Sequence, residues 1–258
     1  ADSVGEYRAR IKSTESMTLL ATGGYGRGEL YPFSDIDLLV LAEPRVQKKN
    51  EPAMSRLFAM PWDAGLATGH AVRSVEQCVH AARDDIATLT SMMELRTLGG
   101  DDASRVALVA ALSPKKMWPP AKYFQAKREE ERARHVRYND TADNLEPNLK
   151  EGPGGLRDLH TVTWMGMRLY GVPGLRALVP LGLLGEVECA TLEFKWADLA
   201  RLRFGLHLVA GRREERLLFD HQKSLATLMG LHALAGQPAD SAQMATTAAT
   251  HTNSRSIV

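Results

Sequence analysis

Two aspartates are the residues of this sequence best suited to metal chemistry. Asp35 and Asp37 are separated by one residue at the start of the apolar run 36–41 (IDLLVL). On a β-strand alternate residues point to the same face, so we expect both carboxylates to point the same way. Two carboxylates this close repel each other unless a cation lies between them, and Mg²⁺ takes carboxylate oxygens as ligands. The pair therefore predicts a site for one or two Mg²⁺ ions.

A glycine-rich turn precedes the aspartates. Gly23 and Gly24 follow the apolar residues 17–22 (MTLLAT), and Arg27 lies in the same turn. Without Cβ atoms the backbone can approach a phosphate and direct N–H groups at it, and a guanidinium can pair with phosphate oxygens. Strand, Gly-Gly turn and Asp-Ile-Asp strand in this order are more specific together than apart. They predict transfer of a nucleotidyl group from a nucleoside triphosphate with two metal ions.

The hydrophobic pattern predicts the elements that position these residues. Residues 17–22, 36–41 and 69–73 each predict a strand. A polar linker is expected after Pro44, followed by a helical segment that breaks at Pro61. Further along, Ser74 and Gln77 form a capping box that begins a helix, residues 156–170 and 187–212 predict further helices, and residues 139–155 predict a loop.

This order of elements predicts an α+β protein. A small mixed-sheet unit (residues 1–100) should be followed by an all-helical unit (residues 101–234), because helical periodicity dominates from residue 84 onward. Residues 235–258 are small, polar and aperiodic, and we expect them to form a disordered tail.

Composition narrows the classes of function. The chain has 32 basic and 31 acidic residues and a net charge of +1, whereas proteins that bind nucleic acid usually carry a basic excess, so no nucleic-acid substrate is expected. The sequence shows no membrane span and no signal peptide, which favours a cytoplasmic protein. Cys78 and Cys189 are too far apart to suggest a zinc site or a disulfide framework, and buried free thiols are expected.

The residues described so far resemble a known family. The string GGYGRGELYPFSDIDLL at residues 23–39 is similar to the polymerase-β-type nucleotidyltransferase superfamily, in which a Gly-Gly or Gly-Ser turn precedes an Asp-x-Asp strand. More narrowly, it resembles the uridylyltransferases of the nitrogen-regulatory PII protein. Residues 62–78, 144–160 and 203–222 extend this resemblance over most of residues 20–230.

The resemblance implies a specific reaction. Such an enzyme transfers UMP from UTP to a tyrosine of PII, with Mg²⁺ as cofactor and glutamine as a signal. Asp35 and Asp37 would bind the metal, while Gly23, Gly24 and Arg27 would contact the triphosphate. Two other functions remain open: an adenylyltransferase that modifies another protein or a small molecule, and a non-catalytic module that binds nucleotide.

The superfamily also implies a third metal-binding carboxylate, supplied by a strand beside the Asp-x-Asp strand. Asp63, just upstream of the predicted strand 69–73, is the candidate, and Glu94 is the alternative. Each also has a structural interpretation, since Asp63 could cap a turn after Pro61 and Glu94 could pair with an arginine. The sequence does not decide between them.

Two further features have both a functional and a structural interpretation. Lys150 or Arg157, in the unusual loop NLEPNLKEGPGGLRD, could reach the nucleotide, or the loop could be architectural. His160 and the other single histidines are expected to be core or surface residues. The family continues into a phosphohydrolase domain with a paired His-Asp motif and then into glutamine-sensing domains. The sequence contains neither, so we expect it to represent the transferase portion alone.

Overall fold

The sheet that carries the aspartates has four strands. A computed structural model describes residues 17–230. The strands are β1 (Met17–Ala21), β2 (Ile36–Ala42), β3 (Thr68–Arg73) and β4 (Arg96–Gly99), in the order β3-β2-β1-β4. Strand β2 is antiparallel to β1 and parallel to β3, and β4 is antiparallel to β1, so the predicted mixed sheet is confirmed. Strand β4 was not predicted, because its four residues are too few to show alternation and follow a helical pattern.

Helices connect the strands and then, with loops between them, form the rest of the described chain. Within the sheet unit, α1 follows β1, α2 joins β2 to β3, and two helices precede β4. The helices are α1 (Gly23–Arg27), α2 (Pro44–Asp63), α3 (Val75–Asp84), α4 (Ile86–Met92), α5 (Asp102–Ala111), α6 (Pro120–Arg137), α7 (Leu156–Met165), α8 (Glu186–Ala210) and α9 (Phe219–Leu228). A π-helical turn, Gly166–Tyr170, extends α7, so the helix predicted over residues 156–170 changes its winding after Met165.

The segment after Pro44 is helical, and the prediction of a polar linker with a break at Pro61 was wrong. Helix α2 includes both Pro52 and Pro61. Pro44 occupies the first turn, where no backbone N–H is needed, and Pro61 lies in the last turn. Packing offsets the loss of backbone hydrogen bonds, because buried Met54, one turn before Phe58, packs against the sheet.

The two faces of the sheet pack against different helices. On one face Val40 packs with Met54 of α2. On the other face, which also carries Asp37, Leu39 and Leu41 share a core with residues of the helical unit, including Leu108, Leu112 and Tyr123. The hydrophobic core is therefore continuous across the expected boundary at residue 100, and the helical unit rests directly on the face that carries the aspartates.

Several local predictions are confirmed. Ser74 and Gln77 form the capping box at the start of α3. Cys78 and Cys189 are buried free thiols, and burial raises the pKa of Cys78 to about 11.

Among residues 17–230, no helix combines the length and apolar character that a membrane crossing requires. The predicted tail from residue 235 lies outside the described residues.

A buried hydrogen bond between the two units gives a test of this packing. Tyr123 is fully buried, and its hydroxyl lies 3.1 Å from Thr90 Oγ1 on α4. Tyr123→Phe should lower the free energy of unfolding by about 1 kcal/mol, because the buried hydrogen bond to Thr90 is lost while Thr90 Oγ1 keeps its bond to Ile86 O. Urea denaturation measures the change. Tyr170→Phe is the matched control, since Tyr170 is 51% exposed, and equal effects of the two substitutions would contradict the described packing.

Candidate functional site

The five residues predicted to bind metal and triphosphate meet in one cleft. Its volume is about 350 Å³, and it lies between the sheet unit and the helical unit. Gly23, Gly24, Arg27, Asp35 and Asp37 all line it. Asp35 directly precedes β2 and Asp37 is its second residue, while the glycines begin α1. The sequence motif therefore corresponds to one continuous surface.

The Gly-Gly turn lies directly against the aspartate pair. Gly23 has a φ of +52°, a backbone conformation that favours glycine, and a Cβ there would lie 3.4 Å from Asp37 Oδ2. The amide of Thr22 donates to the carbonyl of Asp37 across 3.0 Å, which holds the turn beside β2. A phosphate group on this turn would therefore be close to both carboxylates.

The aspartate pair concentrates negative charge. Burial and the neighbouring charge of Asp35 raise the pKa of Asp37 above its usual range, while nearby Lys150 and Arg213 oppose this rise. Arg213 forms an ion pair with Asp35. A positive charge between two half-buried carboxylates stabilises the ionised form of both, and carboxylate oxygens are suitable ligands for Mg²⁺.

Two segments of the helical unit bring these cations to the sheet. Lys150 belongs to the loop before α7, and Arg213 belongs to the segment between α8 and α9. The segments are joined by backbone hydrogen bonds, from Leu149 N to Glu215 O (2.8 Å) and from Leu217 N to Pro147 O (2.9 Å). The loop whose role the sequence left open is therefore packed by backbone hydrogen bonds, and it places Lys150 in the cleft lining. A contact of Lys150 with the nucleotide stays a prediction.

Arg27 is held by two carboxylates of the sheet unit. Its Nε donates to Glu29 across 3.0 Å, and its Nη1 pairs with Glu94. Each carboxylate has a further partner on α7, since His160 Nε2 lies 2.8 Å from Glu29 and Trp164 Nε1 donates to Glu94 across 2.6 Å. Two carboxylates thus fix the orientation of the guanidinium.

Burial sets the charge states in this network. Burial alone would raise the pKa of Glu29, but its hydrogen bond with His160 and the charge of Arg27 lower it to about 2. Burial lowers the pKa of His160 to about 4, which leaves the imidazole neutral near pH 7. Neutral His160 then donates from Nε2 to the ionised Glu29 carboxylate.

The structure does not bring Asp63 to the cleft as a third carboxylate. Asp63 is exposed at the end of α2 and is absent from the cleft lining. Glu94 does line the cleft, but Arg27 and Trp164 already bind its oxygens. The β3 position in register with Asp37 is Gly69, where a Cβ would lie 2.6 Å from Asp37 Oδ1, so no side chain fits there.

Several cleft residues were not identified from the sequence as members of the site. They are Glu29, Trp164 and Arg213, together with His160, which the sequence analysis interpreted as a core or surface histidine. Their partners in the other unit lie 70 to 178 residues away along the chain, and no local pattern reports such pairs. A separate group, Glu131, His135 and Asp158, has ligand atoms close enough for a metal, but Asp158 is paired with Arg134 and has a structural role.

Comparison with known proteins finds two family matches in different parts of the chain. Residues 7–87 match the family of the nucleotidyltransferase domain, and residues 122–255 match the family described as GlnD PII-uridylyltransferase. The first match contains the Gly-Gly turn and the aspartates, and the second contains Lys150, His160 and Arg213.

Curated relatives are similar over most of the described residues. A bifunctional uridylyltransferase/uridylyl-removing enzyme of Xanthomonas campestris pv. campestris strain 8004 is 56% identical over 220 residues, which are 85% of this chain and 25% of the relative. A protein of the same name from Pseudomonas aeruginosa strain UCBPP-PA14 is 48% identical over 214 residues, or 83% of this chain and 24% of the relative. The chain spans about a quarter of the length of these relatives.

The His160–Glu29 pair predicts a specific dependence of stability on pH. The pKa of His160 falls from 6.5 to about 4 on folding, so its contribution is complete above pH 6.5 and is lost as the pH falls toward 4. Glu29, lowered from 4.5 to about 2, adds a loss only below pH 4.5. Urea denaturation of the wild type should therefore show a decreasing free energy of unfolding from pH 7 to pH 5.

Substitution of His160 measures how much of this decrease in the free energy of unfolding comes from that residue. His160→Gln should flatten it by roughly 1 kcal/mol per pH unit below pH 6, because glutamine does not titrate. His80→Gln, at an exposed position, is the matched control and should leave the slope as in the wild type. An unchanged slope in His160→Gln would show that His160 is not buried in its neutral form.

Proposed function

Since the chain belongs to the GlnD PII-uridylyltransferase family, we propose that it transfers UMP from UTP to a tyrosine hydroxyl of the PII protein and releases diphosphate. The observation that carries the proposal is the aspartate pair, which lies beside a Gly-Gly turn in a cleft lined by many basic side chains. The family supplies the identity of the nucleotide and of the acceptor, while the cleft supplies groups for the chemistry.

Asp35 and Asp37 are the proposed metal ligands. Bound Mg²⁺ would lower the pKa of the attacking hydroxyl and neutralise charge on the triphosphate and on the departing diphosphate. The two carboxylates lie at the start of β2, and burial raises the pKa of Asp37, which a cation between them would reverse. We propose no third carboxylate, because Gly69 occupies the register position beside Asp37.

The remaining residues are proposed to hold the nucleotide. Gly23 and Gly24 offer backbone N–H groups to the phosphates, and Arg27 offers a guanidinium whose orientation Glu29 and Glu94 fix. The tyrosine oxygen then forms a bond to the α-phosphorus, and the bond from that phosphorus to the bridging oxygen breaks. Diphosphate leaves with the electron pair, and the hydroxyl proton passes to solvent.

The aspartate pair gives the most direct test. Asp37→Asn should lower the rate of UMP transfer to PII by about 10³-fold or more, because loss of a metal ligand removes several kcal/mol of transition-state stabilisation. The measurement is transfer of label from UTP to PII in the presence of Mg²⁺. Asp63→Asn is the matched control, since Asp63 is exposed and outside the cleft lining, and it should retain wild-type activity.

The outcomes separate the competing functions. Labelling that survives in Asp37→Asn would exclude the proposed chemistry. Faster turnover with ATP than with UTP would favour an adenylyltransferase, and nucleotide binding without diphosphate release for any acceptor would favour a regulatory module. A loss of activity in Asp63→Asn equal to that in Asp37→Asn would make Asp63 the third ligand.

A further inference from the structure

Strand β3 forms an open edge of the sheet. It is the terminal strand in the order β3-β2-β1-β4, and among residues 17–230 its ladder partner is β2 alone. Gly69 and His70, in the middle of the strand, are exposed. An edge strand presents a row of backbone N–H and C=O groups that can pair with another extended segment.

The register shows which backbone groups face outward. Ile36 N donates to Ala67 O across 2.8 Å, so the residues in phase with Ala67 turn their backbone groups toward β2. Alternate residues of a strand direct these groups to opposite sides. Thr68, His70 and Val72 therefore direct their N–H and C=O groups away from the sheet, where a further strand would lie.

Hollows flank the edge on both faces of the sheet. His70 and Val72 line a hollow of about 430 Å³ together with Met54 and Phe58 of α2. On the opposite face Gly69, Ala71 and Arg73 line a hollow of about 200 Å³. Peptides that add to a sheet edge gain affinity from main-chain hydrogen bonds and specificity from pockets that take alternate side chains. Strand β3 offers both.

The second hollow opens on Asp37, one of the proposed metal ligands. Asp37 lines this hollow as well as the main cleft. Its Oδ1 leans over Gly69, only 2.6 Å from the point where a Cβ of that residue would lie. Because Gly69 has no side chain, a long side chain from a neighbouring segment could lie across it and reach the carboxylate. The main cleft contains the basic side chains that would bind a triphosphate. The acceptor would therefore approach Asp37 from the side of the second hollow.

We propose that the acceptor docks by adding an extended segment to the outer edge of β3, with the tyrosine lying across Gly69 to Asp37. The docking pairs the outward groups of Thr68, His70 and Val72 with the backbone of the acceptor. Side chains on either side of the tyrosine enter the hollow formed by Phe58 and His70. This inference rests on the proposed function, since it names the surface through which that site takes its protein substrate.

Removal of one outward N–H group tests the docking. His70→Pro deletes that donor, and proline is tolerated in an edge strand when its nitrogen faces away from the sheet. His70→Ala is the matched control, because it also loses the stacking of the imidazole on Phe58 but keeps the N–H. The KM for PII should be about 3- to 10-fold higher in His70→Pro than in His70→Ala, the effect of one hydrogen bond. Affinity for UTP should be equal in the two variants.

Amide exchange provides a second measurement that needs no substitution. In the chain with UTP, the amides of Thr68, His70 and Val72 should exchange quickly, and addition of PII should slow them at least about tenfold. The amides of Gly69 and Ala71, which face β2, should change little. This alternation distinguishes an added strand from general coverage of the surface.

Each outcome decides between the two proposals. Saturable UMP transfer without protection of the outward amides, or with equal KM in both His70 variants, would overturn the docking and leave the proposed function intact. Protection that grows with the concentration of the chain alone would assign the edge to a second copy of this chain and also overturn the docking. Binding of UTP with no transfer to PII would instead contradict the proposed function.

Discussion

Repulsion between Asp35 and Asp37 is the constraint on which the rest of the site depends. The sheet unit brings the two carboxylates together and keeps space beside them clear, since Gly23 and Gly69 have no side chains there. The opposing charge comes from the helical unit, through Lys150 and Arg213. Two negative charges in a half-buried site require nearby cations. Both units therefore contribute charged side chains to the same site, although the segments that supply the positive and the negative charges are far apart in sequence.

The network around Arg27 fixes how the units meet. Carboxylates of the sheet unit, Glu29 and Glu94, each bind a side chain of α7, and Arg27 lies between them. Removing one member of a buried charged network leaves its partners unpaired, so such networks favour one geometry over others. The hydrophobic core beneath continues from Leu39 to Tyr123. It holds the two units together, but apolar contacts do not favour one relative orientation as strongly as the charged network does. Packing holds the helical unit on the sheet, and the charged network sets its register there.

Local chemistry explains what could be predicted from the sequence. Strands β1 to β3, the capping box at Ser74 and the convergence of the Gly-Gly turn with the aspartates all follow from patterns within about twenty residues. Strand β4 was missed because four residues are too few to show a hydrophobic period. The extent of α2 was predicted too short because packing outweighs the effect of its prolines. The partners of Arg27 and Asp35 depend on pairs separated by 67 and 178 residues, which only the folded chain brings together.

The two edges of the sheet differ in a way that bears on the proposed docking of the acceptor. Strand β4 is only four residues long, and Arg96 covers its end by donating to the carbonyl of Tyr25 across 2.8 Å. Such devices suppress unwanted strand pairing. Strand β3 has six residues, none of them proline. An open edge favours unwanted strand pairing unless a partner covers it. Strand β3 pairs with β2 at Asp37, so the proposed acceptor would approach at this edge.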